Sequence, residues 1–360
     1  MNQASGEPAA GPGPELVVGL DAGGTRTRAV LATAADGRLL GEGAAGPGNA
    51  LTVPLPQLTE HLAEAVAGAV PEGARGRVVA VGGGFAGATG VDEGDPGRLN
   101  ALTALTAALR RLGIGADSIA ISSDIEAAFA SAPGAPADGL ALVAGTGAVA
   151  MRITDRRCTA TVDGDGWLLG DDGSGFWIGR EAVRAALRMA DGRGGATVLA
   201  EAVGRALGLP TECLPGVGSG GLEADSSRAG SGAGEPSYGF LVGSGWSRVG
   251  REAYRMHLLP VVMAQSPPRL ARLAPLVAEA AREKDPVALR ILDEAVDQLT
   301  HTLRALEPQP GEPVVATGGL LGPDGPLTAP LTARLQALGL TLDWVADGCA
   351  GAVALARLLV

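Results

Sequence analysis

Residues 15–45 read ELVVGLDAGGTRTRAVLATAADGRLLGEGAA, and this stretch decides the fold. An apolar run, ELVVGLDA, meets Gly23-Gly24; a second run, TRAVLATA, follows; Asp36-Gly37 then turns the chain into a third, RLLGEGAA. Gly-Gly and Asp-Gly between β-rich runs are hairpin signals, because both tolerate the positive φ of tight turns between twisted strands. The chain therefore opens as a three-stranded meander. Beyond it the apolar period lengthens: helical spacing at 55–70, the strand RVVAVGGG, helical spacing at 98–113, the strand SIAISSD, and a helix IEAAFASA. The order is βββαβαβα.

The same order then begins again. GLALVAGTG, AVAMRIT and RCTATV form a second meander with a tight turn at Asp155-Arg156, and helical segments are expected at 179–191, 194–208, 247–265 and 269–306. The strand PVVATGG, the helix LTAPLTARLQALG, the strand LTLDWVA and the helix GAVALARLLV close the chain. A repeated unit with helical insertions in its second copy specifies an α/β protein of two lobes, with ligands at the carboxyl ends of the strands and in the cleft between the lobes. The expected divisions are a disordered tail at 1–14, an N-terminal lobe at 15–123 completed by the C-terminal helix at about 349–360, and a C-terminal lobe at 124–348. A flexible Gly/Ser-rich insertion falls at about 211–245.

Composition narrows the function. With 360 residues and 46% hydrophobic content the chain has the material for sizeable cores, and its 57 glycines follow no collagen period. A formal charge of -11 argues against nucleic acid or an anionic membrane as partner, since a polyphosphate surface is bound by basic patches. A small molecule is the expected ligand. Cys158, Cys213 and Cys349 are widely spaced and suggest neither a disulfide framework nor a metal cluster. The N-terminus has no leader pattern and no uncharged run is long enough for a membrane span, so a soluble, cytoplasmic protein is expected. Lys284 is the only lysine and lies in no phosphate-binding motif, which disfavours lysine-dependent phosphate chemistry.

Several positions admit both a chemical and a structural reading. At the first hairpin, Asp21, Gly23, Gly24, Thr25 and Thr27 can present N–H groups and hydroxyls to a phosphate while Asp21 holds a hydrated Mg²⁺; the alternative is a plain turn. Gly145-Thr146-Gly147 lies at the equivalent hairpin of the second copy, so a nucleotide phosphate chain can be gripped from two sides without a lysine. Gly318-Gly319 is either a nucleoside contact or a helix-entry turn. Asp124, ending SIAISSD, is either a base toward a hydroxyl or the N-cap of the next helix. Asp171 and Asp172 can bond sugar hydroxyls in GDGWLLGDDGSGFWIGR, or the segment is a structural turn anchored by Trp167 and Trp177. Asn49, in AAGPGN, either bridges a turn or faces the cleft.

The ordered set DAGGTRT, GPGN, GGGFAGA, SSDIEAA, VAGTGAVA, LLGDDGSGFWIGR, REKDPVALRIL and VVATGGLL resembles the BadF/BadG/BcrA/BcrD ATPase family and, within it, N-acetylglucosamine kinases. The resemblance runs from about residue 15 to 358. It implies the duplicated, ribonuclease H-like fold of the actin, Hsp70 and sugar kinase superfamily, with ATP and Mg²⁺ between the lobes.

By resemblance the phosphate loops fall on Asp21, Gly23, Gly24, Thr25 and Thr27 and on Thr146 and Gly147, with Asp21 toward the metal. The adenosine motif falls on Gly318-Gly319. The base accepting the sugar hydroxyl proton falls on Asp124, and sugar contacts fall on Asn49, Asp124, Gly166, Trp167 and Asp171. The implied reaction is phosphorylation of the 6-hydroxyl of N-acetylglucosamine or a related amino sugar; glucosamine, glucose and N-acetylmuramate are alternative acceptors. Activation of a partner enzyme by ATP hydrolysis is a different class that the family also contains. Relatives admit a homodimer. Ala148 and Val149 replace the residues usual after the second loop, Asp165 stands where a Trp is common, and Lys284-Asp285 replaces a late Gly-Asp.

Overall fold

The structure, a computed structural model, describes residues 13–88, 94–215 and 246–360. Residues 1–12 of the expected tail and 216–245 of the expected insertion lie outside the described residues.

Each repeat builds one five-stranded sheet. In the first, β1 (Leu16–Ala22), β2 (Thr27–Thr33) and β3 (Leu39–Ala45) are antiparallel neighbours, and β4 (Val78–Phe85) and β5 (Ser118–Ser123) continue in parallel from β1, giving the order β3-β2-β1-β4-β5. In the second, β6 (Gly139–Ala144), β7 (Ala148–Thr154) and β8 (Arg157–Asp163) repeat the meander. There β9 (Pro313–Thr317) and β10 (Thr341–Trp344) repeat the parallel pair, in the order β10-β9-β6-β7-β8. The two topologies superpose strand for strand. The meanders form where the glycine and aspartate turns specify them; Asp155 and Arg156 both take positive φ, as a two-residue hairpin turn of this hand requires.

Helices α1 (Leu55–Ala69) and α2 (Pro96–Arg111) cover one face of the first sheet, burying Leu58, Leu62, Val66, Leu105 and Leu109 against Leu16, Val18 and Leu20. The helices inserted in the second repeat, α4 (Gly175–Ala190), α5 (Leu199–Ala206), α6 (Arg248–Met263), α7 (Ala274–Arg282) and α8 (Pro286–Arg304), share a core with β6, β7 and β9, and α9 (Thr328–Ala337) joins them.

The closing helices change places. Helix α3 (Asp124–Ala130) ends the first repeat but puts Ala128 and Phe129 into a cluster with Ala141, Ile153 and Val315 of the second sheet. Helix α10 (Cys349–Arg357) ends the second repeat but packs Cys349, Val353 and Ala356 on Val17, Val30, Ala32 and Ala80 of the first. The two helices touch at Gly351, whose N–H donates to Ser131 Oγ at 2.7 Å. A Cβ there would stand 1.9 Å from the Ala127 carbonyl oxygen, so only glycine permits this crossing.

The single helix expected over 269–306 is instead a 3-10 segment (Pro267–Leu273), α7 and α8. Lys284 takes φ +64°, and Asp285 caps α8 by accepting from the N–H groups of Val287 and Ala288 at 2.9 Å, with Pro286 in the first turn. Asp285 also accepts from Val198 N–H at 2.9 Å, so it fastens α8 to the start of α5. The helix expected from 194 begins at Leu199, beyond Gly194-Gly195, and α4 begins at Gly175, four residues early, because Ser174 caps it through the Trp177 N–H.

Candidate active site

The parallel strands of both sheets deliver their carboxyl ends to loops that carry most of the singled-out residues. Hydrogen bonds and ring contacts divide these residues into two groups.

The first group surrounds the hairpin between β1 and β2. Gly23 N–H donates to Arg26 O at 2.9 Å, closing the turn and leaving Gly24 and Thr25 exposed at its tip. Gly48 N–H donates to Gly23 O at 2.8 Å and Ala86 N–H to Ala22 O at 2.9 Å, which ties the GPGN and GGGFAGA loops to the hairpin. Asn49 spends its Oδ1 on the N–H groups of Leu51 and Thr52, at 2.9 and 3.0 Å, and so bridges this turn.

Thr27 departs from expectation. Its register partner is Ala22, not Asp21, so it faces the side of the sheet opposite to Asp21. The side chain is fully buried, its Oγ1 has no partner, and a Cβ on Gly48 would lie 2.5 Å from it. A hydroxyl enclosed in this way does not reach a phosphate at the hairpin tip.

Asp124 stands at the first helical position of α3. Ser123, not Asp124, is the N-cap: its Oγ accepts from Glu126 N–H at 3.1 Å and Glu126 Oε2 accepts from Ser123 N–H at 2.9 Å, a complete capping box. That leaves the Asp124 carboxylate outside the cap, with Oδ1 accepting from Ile125 N–H at 3.0 Å and the carboxylate also held by its own backbone N–H. Burial, and next the charge of Asp21, push its pKa up to about 6. Asp21 is raised as well, chiefly by burial and further by Asp347, while a bond from Gly348 N–H and the charge of Arg28 oppose the shift.

Asp347 was not singled out in the sequence. It precedes α10, pairs with Arg28 at 2.6 Å, and accepts from Cys349 N–H at 2.9 Å. Asp21, Asp347 and Cys349 each bring one ligand atom within 4.8 Å of the others. Two carboxylates suit Mg²⁺, which keeps most of its waters and takes one or two protein oxygens. Burial raises the Cys349 thiol well above its ordinary pKa, so it stays a neutral sulfur and suits the ion poorly.

The second group surrounds the hairpin between β6 and β7. Gly145 N–H donates to Gly147 O at 2.9 Å with Thr146 exposed at the tip, and the first N–H groups of α4, from Gly175 and Phe176, donate to Gly145 O and Thr146 O. Gly318, at φ +105°, packs so closely that a Cβ would be 2.2 Å from Ala144 O, which places the Gly318-Gly319 turn against this hairpin. Asp171, at φ +58°, accepts from Ala148 N–H at 3.0 Å, and burial first, then the charges of Asp163, Asp172 and Asp165, raise its pKa. Asp163, unnoticed in the sequence, accepts from the N–H groups of Gly164, Asp171 and Asp172 and so folds the 163–172 loop.

Gly166 lies in that loop at φ +79°. Trp177 is a core anchor at 7% exposure, whereas Trp167, at 40%, is not. Trp167 sets its ring edge-on to Phe176 at 6.1 Å.

A cavity of about 850 Å³ opens beside this second group. Gly145, Thr146 and Gly319 form one wall, and residues of the 3-10 segment and α7 form the other.

No helix among the described residues is long and apolar enough to cross a membrane. Among solved structures the chain is similar to a proposed N-acetylglucosamine kinase from Chromobacterium violaceum, at 23% identity and a TM-score of 0.63, covering 96% of this chain and 99% of that one. It is also similar to one from Porphyromonas gingivalis, at 20% identity and a TM-score of 0.61, covering 95% and 98%. At these identities the likeness establishes a shared fold, the two five-stranded sheets of repeated topology described above. No curated protein matches in sequence. The sequence model of one family matches residues 18–329, most of the chain and nearly all of both sheets, and on that match the chain belongs to the BadF/BadG/BcrA/BcrD ATPase family.

Proposed function

We propose that the protein is an ATP-dependent sugar kinase that phosphorylates the 6-hydroxyl of N-acetylglucosamine or a related amino sugar. The observation that carries this reading is Asp124: a carboxylate on the first turn of α3, left outside the helix cap, with its pKa raised to about 6 by burial and by Asp21. Such a group is ionised at neutral pH and still basic enough to accept a proton.

In this reading Asp124 orients the sugar hydroxyl in line with the γ-phosphate and takes its proton as the new P–O bond forms. Orientation is the larger contribution, because the transition state is loose and needs little early proton transfer. The N–H groups and threonine of the Gly23–Thr25 and Gly145–Gly147 turns hold the phosphate chain in place of a lysine. Asp21, with Asp347 beside it, would hold Mg²⁺, which supplies positive charge to the transferring group. Gly318-Gly319 lets the backbone approach the nucleoside. On the sugar side are Asn49 through Nδ2, Asp171, Gly166 and the exposed face of Trp167; the Asp171 bond to Ala148 N–H couples that side to the phosphate turn.

The printed descriptions of the two structural relatives support an N-acetylated acceptor. Ala148, Val149 and Asp165 lie on the sugar side, so glucosamine, glucose and N-acetylmuramate compete as acceptors. The reading includes a cytoplasmic location and allows a homodimer. The test is ADP release with Mg²⁺-ATP across those sugars, N-acetylmannosamine and a sugar-free blank. One sugar raising the rate far above the blank supports the proposal; rates equal to the blank for every sugar reject it.

A further inference from the structure

The cavity beside the second hairpin carries a charge pattern that the sequence motifs do not include. In a chain with a formal charge of -11, its lining holds Arg269, Arg272 and Arg282 against a single acid, Asp324. Among the described residues every ion pair takes an arginine, in contacts of 2.5 to 3.6 Å, as at Arg28, Arg152, Arg193, Arg290 and Arg334. Among the described residues none of the three cavity arginines has a carboxylate within 4.0 Å; Arg272 bonds only the neutral Gln265 side chain, at 2.6 Å.

The position of the wall relative to the hairpin is fixed. Ala271, between Arg269 and Arg272, would lie 3.4 Å from a Cβ on Gly175, and Gly175 N–H is bonded to Gly145 O at 2.8 Å. The arginine-bearing 3-10 segment therefore sits one residue's width from the turn that grips phosphate. Neither hairpin offers a lysine. Free guanidinium groups facing a cavity of nucleotide size, next to such a turn, are matched to an anion and not to a neutral nucleoside.

We infer that Arg269, Arg272 and Arg282 are nucleotide-specificity residues that hold the donor through the negative charge of its phosphate chain. The inference rests on the sugar kinase reading and deepens it: donor affinity is set by phosphate charge on the α7 side as well as by the Gly318-Gly319 turn. It follows that affinity rises in the order adenosine, AMP, ADP and ATP, and that the rise is screened by salt.

Calorimetric titration of the full chain with adenosine, AMP, ADP and ATP, each with Mg²⁺, tests this without any turnover. Arg269→Gln and Arg282→Gln are exposed changes that leave the core intact. Each is expected to weaken ADP and ATP binding about tenfold and adenosine binding less than about twofold, with most of the loss restored in Arg282→Lys. Unchanged ADP affinity in both variants, or an equal loss for adenosine, overturns the inference and leaves the kinase reading standing. Failure of the unaltered protein to bind any of the four ligands overturns both.

Discussion

Replacing Asp124 by Asn separates the proposed role of the residue as a base from its effect on the fold. Its carboxyl pKa is about 6 in the folded chain against 3.8 for an ordinary Asp. Between those values the folded state holds a proton that the unfolded chain has released, so stability falls as pH rises through the window and the full penalty is present above about pH 6. The shift corresponds to at most about 3 kcal/mol. Asn carries no such charge and keeps the acceptor for Ile125 N–H. Asp124→Asn is therefore expected to melt several degrees higher at pH 8 and to lose this advantage below about pH 4, followed by circular dichroism at both pH values. Turnover should fall about a thousandfold, with ATP affinity within about threefold of the original. On the kinase reading, kcat/KM of the unaltered protein should fall on the acid side with an apparent pKa of about 6. Near-normal turnover in the variant refutes the base assignment; an unchanged or lower melting temperature at pH 8 refutes the burial argument.

Thr27→Val removes a buried hydroxyl that has no partner, and should raise stability by about 1 kcal/mol in denaturant titration; a loss would mean the hydroxyl is satisfied in solution. Gly351→Ala forces a methyl against the Ala127 carbonyl at the α3–α10 crossing and should destabilise by about 2 kcal/mol or more, so an unchanged denaturation midpoint would contradict the packing described. Asp163→Ala frees three N–H groups of the 163–172 loop and with them Asp171; KM for the sugar should rise about tenfold while KM for ATP moves little, and equal changes in both would place the loop's role elsewhere.

What the sequence shows is what its chain neighbours decide. Gly23-Gly24, Asp36-Gly37 and Asp155-Arg156 mark their hairpins locally, so both meanders and the duplicated order could be read. The α7–α8 break was also written locally, as Asp285-Pro286, but the apolar period continues across it and hid it. Ser123-x-x-Glu126 is a capping box that should have removed Asp124 from the list of caps. Other features needed the third dimension. The orientation of Thr27 depends on strand register. Asp347 meets Asp21 only because α10 lies on the first sheet, and the cavity arginines, a cation cluster in a chain of net negative charge, come together through a 3-10 segment that looked like ordinary helix.

The exchange of α3 and α10 sets an order of events during synthesis. All five strands of the first sheet precede residue 124, yet the helix that roofs one of their faces, residues 349–357, follows the whole second sheet in the chain. Until then Val17, Val30, Ala32 and Ala80 have no cover, and the nascent first lobe waits with that apolar face open for as long as the whole second lobe takes to emerge. A premature stop just before residue 349 would therefore strip the lobe made first and leave the lobe it interrupts nearly whole.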